Sequence, residues 1–172
     1  MGQLVRPDVR FHASWVVAAA EFGGAHIDGA GLDGVEVAAL THDDAFAALV
    51  ERLIANAEED APRPDGHVPA TALWIVEGDA VVGSLQIRHR LTDWLHEQGG
   101  HIGYSVRPSA RRRGHASAAL RDALPIARGL GIDRVLITCD EDNAGSRAVI
   151  ERTDGEYEDS RAGKRRYWIP TA

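Results

Sequence analysis

Three consecutive arginines run into a glycine at Arg111-Arg112-Arg113-Gly114, inside the stretch Val106-Arg-Pro-Ser-Ala-Arg-Arg-Arg-Gly-His-Ala-Ser117. The alternating segment Ile102-Gly-Tyr-Ser-Val106 before it predicts a strand, and Ala118 to Arg128 after it predicts a helix. A strand that enters a helix through glycine leaves several backbone N–H groups unpaired, with the positive end of the helix dipole behind them. Such a turn suits a phosphate group. Arg112 to Ser117 would present successive N–H donors, Gly114 and Ala116 would keep bulk away from the backbone, and the Ser117 hydroxyl adds a donor. Arg111, Arg112 and Arg113 supply charge, although three neighbours cannot all face one phosphate pair. The plainer alternative is a solvated basic turn that caps a helix.

Other residues invite chemistry with less support. His101 opens the predicted strand at 101–106 and is the first candidate for a general base, since histidine titrates near neutrality. A satisfied structural histidine fits it equally well. His96 and Glu97, in the preceding segment, come second. Cys139 is the single cysteine, and its apolar flanks favour a buried thiol over an acyl-carrying nucleophile. His89, His96 and His101 form no tight ligand pair, so no metal site is expected. Trp94 is the aromatic residue best placed to wall a substrate. Asn143 predicts the N-cap of a short helix over 143–152.

The elements that must position these residues follow from periodicity. Phe11, Trp15, Ala18, Ala19 and Phe22 recur at helical spacing, and Gly23 and Gly24 close that helix. Residues 25–40 are glycine-rich and read as irregular. Asp43 or Asp44 caps a second helix to about Glu59, with Phe46, Leu49, Val50, Leu53 and Ile54 on one side. Ala72–Val76 and Val81–Ile87 are β-rich runs joined by a hairpin turn at Glu77-Gly78-Asp79-Ala80, and residues 88–99 read as a loop. Arg134–Cys139 is another strand, and a last hairpin turns at Arg161-Ala-Gly-Lys164. Pro125 should kink or shorten the helix that carries it. The crossover helix between strands 101–106 and 134–139 makes that pair parallel, while the hairpins make the rest antiparallel. An α/β (α+β) domain with a mixed, mostly antiparallel sheet is expected, with ligands at the carboxyl ends Val106 and Asp140.

The chain-wide properties narrow the classes. At 172 residues, 44% apolar and 26% charged, one domain of ordinary globular composition is expected over 1–172. Residues 1–65 form its N-terminal helical part and 68–170 its sheet. A net charge of -7 disfavours a nucleic-acid binder despite the local arginines. One cysteine excludes an internal disulfide, and the opening Met-Gly-Gln-Leu-Val-Arg has no apolar signal core. A cytoplasmic protein without membrane partners is the expectation. Gly-x-x-x-x-Gly-Lys-Ser/Thr is absent, which argues against a P-loop nucleotide site.

The turn Arg111-x-x-Gly114-x-Ala116, approached through Val106-x-Pro108, resembles the acyl-CoA motif Arg/Gln-x-x-Gly-x-Gly/Ala of the GCN5-related N-acetyltransferase (GNAT) family. Asn143-x-x-Ser146-x-x-x-Ile150-Glu151 resembles that family's later motif, in which asparagine opens a helix after the next strand. The segments 99–109 and 137–143 look like an uncharacterised bacterial branch, and the resemblance covers about residues 68–170.

The resemblance implies an acetyltransferase with acetyl-CoA as co-substrate and an amine of a small molecule or peptide as acceptor. It implies that pantetheine inserts between the two parallel strands, which splay apart, and pairs with backbone around Tyr104, Ser105 and Val106. It assigns the pyrophosphate to residues 111–117, His115 included, and a second pantetheine contact to Asn143. The family often places a tyrosine seven positions after that asparagine to protonate the departing thiolate, and this chain has Ile150 there. Tyr104, Ser146 and Tyr157 are the replacements. With that acid missing, a non-catalytic acyl-CoA-binding module is the alternative. The resemblance builds the acceptor pocket from the first two helices and the loops near 90–100 and 160–165, where Glu36, Asp93 and Glu97 would suit a cationic amine. A homodimer through the last strands is left open.

Overall fold

The computed structural model describes residues 2–172; Met1, the first residue of the expected domain, lies outside them. Two sheets lie side by side. The first has strand order β1-β2-β3-β4, from β1 (Gln3–Val5), β2 (Ala70–Glu77), β3 (Ala80–Arg88) and β4 (Ile102–Val106), all antiparallel. The second has order β5-β7-β6, from β5 (Arg134–Asp140), β6 (Glu156–Arg161) and β7 (Lys164–Pro170), also antiparallel. The helices are α1 (His12–Ala20), α2 (Asp43–Ala55), α3 (His115–Gly129) and α4 (Ala144–Glu151).

β2 is apolar from Ala72 to Val76, where both of its faces are buried. Ala72, Trp74 and Val76 join Phe11, Trp15, Phe46 and Leu49 in a core beneath α1 and α2. The alternate residues Leu73 and Ile75 join Leu85, Ile87, Leu120 and Ile137 in a second core beneath α3. Strand alternation thus sends successive side chains into two different cores. Trp74 anchors the first, with the Phe46 ring 5.8 Å and the Phe11 ring 6.2 Å away.

Several boundaries depart from the sequence expectations. β1 was not anticipated, because three residues are too short to show alternation; it pairs Gln3–Val5 with Val76–Trp74. α1 stops at Ala20, before Phe22, and α2 stops at Ala55, where the Asn56 carbonyl accepts the Ala70 N–H at 2.9 Å. Ile54 is exposed and takes no part in the buried stripe of α2. The loop after β3 contains a wide helical turn over Leu95–Gly99. α3 runs unbroken through Pro125.

β4 and β5 are linked by α3 and meet at one place. The His101 N–H donates to the Leu136 carbonyl at 2.7 Å, and no ladder joins the strands beyond it. Gly100 makes this approach possible: its φ is 65°, and a Cβ there would lie 2.4 Å from the Leu136 oxygen. From that contact both strands run in the same direction and separate, ending on opposite walls of one cleft.

Candidate functional site

The cleft between the splayed strands has a volume of about 1690 Å³. Tyr104, Ser105 and Val106 line one wall, Thr138, Cys139 and Asp140 the other, and the turn Arg111–Ser117 lies at one end. β3 determines which β4 groups are available. Arg88 N–H donates to His101 O at 2.7 Å and Arg107 N–H to Val82 O at 2.9 Å. Antiparallel pairing alternates, so residues 101, 103, 105 and 107 direct carbonyls or N–H groups to β3. Both backbone groups of Tyr104 and the Val106 N–H therefore turn to the open edge, where a ligand can pair as an added strand; the Val106 carbonyl accepts from Arg111 Nε. Ser105 departs from its expected role. Its backbone is on the β3 side, opposite Ser84, and its buried Oγ has no partner among the described residues.

The turn matches its expected geometry. Gly114 has a φ of 84° and caps α3 without a side chain, a conformation that disfavours any other residue. The N–H groups of residues 112–117 have no acceptor among the described residues; the next, Ala118 N–H, bonds to Gly114 O at 3.0 Å. Six adjacent donors at a helix start form an anion cradle.

The three arginines divide their tasks. Arg111 braces the turn through Nε to Val106 O at 3.0 Å and lies 5.9 Å from the Phe22 ring centroid. Arg113 leaves the cleft to pair with Glu77 at 2.8 Å. Arg112 lines the cleft with no side-chain partner among the described residues and a φ of 61°. The His115 ring is buried, its Nδ1 accepting the Gly2 N–H at 3.2 Å, so only its backbone serves the cradle. Burial lowers its pKa, against the Glu77 carboxylate, which lies 3.8 Å from Nε2.

His101 occupies a structural position. Its Nδ1 accepts the Leu136 N–H at 2.9 Å, its ring packs 6.3 Å from Trp168, and it does not line the cleft. Desolvation, with help from the Arg88 and His96 charges, brings its pKa down to about 4. His96 and Glu97 are likewise occupied, by Arg166 and by Arg161, and lie off the cleft. Tyr157 is exposed on β6, bonded to Ser160.

Tyr104 and Ser146 come together across the split. The Tyr104 hydroxyl lies 2.8 Å from Ser146 Oγ, and both residues line the cleft. Burial pushes the Tyr104 pKa up, so the phenol keeps its proton. Asn143 caps α4 by accepting Ser146 N–H at 3.0 Å, which leaves its amide N–H groups for the cleft it lines. Ile150, at the position of the family's usual tyrosine, is fully buried in the core. Cys139 is buried on the cleft wall, and desolvation raises its pKa, which disfavours a thiolate nucleophile.

Sequence reasoning did not place residues 25–34 at the cleft. The irregular segment 25–34 folds over β4: Gly29 has a φ of 72°, and a Cβ there would sit 2.2 Å from Gly103 O. This brings His26, Asp28 and Asp33 to the cleft, joined by Arg88 from the end of β3 and by Trp94. His26 and Asp28 form an exposed pair at 3.4 Å. Glu36 and Asp93 do not line it. Glycines at 29 and 31 were a signal of close approach, but their partners are distant in sequence. No helix among the described residues is long and apolar enough to cross a membrane.

The sequence profile described as the Acetyltransferase (GNAT) domain matches residues 41–156. Among curated protein sequences none matches. Solved structures share the fold. Mycobacterium smegmatis RimJ in complex with CoA-disulfide has 20% identity and a TM-score of 0.70 over 97% of this chain and 80% of that one. The microcin C7 self-immunity acetyltransferase MccE, in complex with acetyl-CoA and AMP, has 16% identity and a TM-score of 0.63 over 97% and 91%. A Salmonella typhimurium acetyltransferase that modifies the N-terminal serine of ribosomal protein L7/L12 has 18% identity and a TM-score of 0.62 over 97% and 93%.

Proposed function

The chain belongs to the GNAT acetyltransferase family, and from that premise we propose that it transfers the acetyl group of acetyl-CoA to a primary amine by direct attack. The observation that carries this is the opening of one cleft onto both the six-donor turn at 112–117 and the free β4 edge at Tyr104 and Val106. A pyrophosphate occupies the turn, and the pantetheine arm extends along β4 like a strand. The Val106 N–H, turned to the open edge, stabilises the oxyanion that develops as the thioester carbonyl is attacked. Asn143 holds the arm from the α4 side. Similar structures that hold CoA or acetyl-CoA support this placement.

In the reaction the neutral amine nitrogen forms a bond to the thioester carbon, and the C–S bond breaks with its electron pair on sulfur. Sulfur takes a proton from the Tyr104–Ser146 hydroxyl pair, which does the work of the tyrosine that Ile150 replaces. The attacking nitrogen loses its proton to the His26–Asp28 pair and from there to solvent, which re-protonates the hydroxyls. The site requires no metal step.

Calorimetric titration with acetyl-CoA and thiol release across an amine panel test this function. Binding together with acceptor-dependent thiol release is expected. Absence of binding at high micromolar acetyl-CoA overturns it, and tight binding without release to any amine reduces the protein to a CoA-binding module.

A further inference from the structure

Arg88 lines the cleft as a cation with no salt-bridged carboxylate among the described residues. Arg88 ends β3 and lines the cleft, its guanidinium lying over Gly103 of β4; Nη2 is 3.3 Å from where a Cβ on that glycine would sit. Nη1 donates to the carbonyls of Gly99 at 2.8 Å and Gly100 at 3.2 Å. Nε and Nη2 make no hydrogen bond among the described residues, and no carboxylate pairs with the group. Burial lowers its pKa, while the charges of Asp33 and Asp28 oppose that effect from a distance. Those two carboxylates are engaged elsewhere, with His67 at 3.7 Å and His26 at 3.4 Å.

Nε and Nη2, free of partners among the described residues, are open to the cleft, so they can receive an anion, and the planar fork matches a carboxylate. The absence of a side chain at Gly103 keeps that fork accessible. Along β4, Gly103 and Val106 are separated by three residues, about 10 Å. With the thioester carbonyl of the proposed reaction on the Val106 N–H and the anion on Arg88, a hydrogen-bond length at each end leaves only a short span for the acceptor between its carboxylate and its amine. Asp28, one residue from the Gly29–Gly103 contact, supplies negative charge on the amine's side.

We infer that Arg88 binds a carboxylate of the acceptor, and that the acceptor is an α-amino acid or a similarly small amino carboxylic acid. This rests on the acetyl-transfer reading above. An internal peptide residue would offer this guanidinium only a neutral carbonyl, which is the weaker partner.

The test compares three forms of each acceptor in the thiol-release assay: the free amino acid, its carboxamide and a tripeptide beginning with it. The intact protein and its Arg88→Lys and Arg88→Gln variants are used, with acetyl-CoA affinity measured in parallel. For the intact protein, kcat/KM for the best free acid should exceed that for its carboxamide by at least tenfold. Arg88→Gln should remove that preference by raising KM for the acid, and Arg88→Lys should restore part of it. Both variants should bind acetyl-CoA as the parent does, which separates lost recognition from lost folding. Equal turnover of acid and carboxamide, or preference for the tripeptide, overturns the inference. Acetyl-CoA binding without turnover of any free acid also overturns it, leaving the donor site intact, whereas failure to bind acetyl-CoA overturns the acetyl-transfer reading itself.

Discussion

His101 and Leu136 exchange two hydrogen bonds, yet only one is a backbone pair. The His101 N–H reaches Leu136 O at 2.7 Å, while the Leu136 N–H is taken by the imidazole Nδ1 at 2.9 Å. A side chain stands in for a strand carbonyl at the last point where β4 and β5 touch. Accepting through Nδ1 places the ring proton on Nε2 and requires the neutral imidazole. Protonation would turn an acceptor into a donor facing another donor.

Acid should therefore loosen this junction. The folded pKa of about 4 lies below the ordinary histidine value of 6.5, so the unfolded chain binds more protons between these limits. Stability is fully present above pH 6.5 and falls as pH drops toward 4, by at most about 3 kcal/mol from this group. His101→Asn, whose Oδ1 can accept the same N–H, should flatten that part of the profile relative to the parent. Urea denaturation at pH 7, 5.5 and 4.5 measures the difference, and identical slopes would refute the junction's role.

Ser146→Ala and Tyr104→Phe should each lower kcat by about 10- to 100-fold, at or below the roughly 10²–10⁴-fold of a sole proton-transfer group because the partner hydroxyl remains. Acetyl-CoA affinity should stay within about twofold, since the hydroxyls act on the leaving sulfur and not on the phosphates. Tyr157→Phe, on the exposed face of β6, serves as the comparison and should leave kcat unchanged. Steady-state thiol release checks all three; full activity in Tyr104→Phe would remove the phenol from the mechanism.

Arg112 and Arg113 should differ despite being neighbours. Arg112→Ala is expected to weaken acetyl-CoA binding by about 3- to 10-fold at low salt and less at high salt, as for a screened charge beside a phosphate. Arg113→Ala loses a partly exposed pair with Glu77 and should change affinity less than twofold. Calorimetry at two ionic strengths separates the two, and equal losses would show that the three arginines act as one patch.

Removal of the proton acceptor should appear in the pH profile. His26→Gln should reduce kcat about tenfold or more near neutrality and recover part of the loss at higher pH, where free amine is more abundant. A parallel, pH-independent loss would assign His26 to binding.

The turn at the start of α3 was legible because its determinants are local. Arg111-x-x-Gly114-x-Ala116 lies within a few residues of the strand and helix it joins; helix geometry leaves the N–H groups of 114–117 open, and those of 112 and 113 belong to the turn just before the helix. Asn143 followed by Ser146 marks a cap in the same way. β1 and the 95–99 turn were not legible, because three to five residues show no period. Arg88, read within a loop, gave no sign of lining the cleft as a cation without a paired carboxylate among the described residues.

The sequence by itself determined the fold class, the order of elements from β2 onward, and the turn fitted to a phosphate. Each of these follows from periodicity and backbone sterics over short spans. Tertiary structure alone decided that His101 stitches two strands, that Tyr104 meets Ser146 across 42 positions of chain, and that Asp28 and Arg88 face one cleft. These relationships depend on distances between segments far apart in sequence, and on burial that removes a histidine's charge or leaves an arginine's charge unmet. Neither quantity exists until the cores on both sides of β2 have closed.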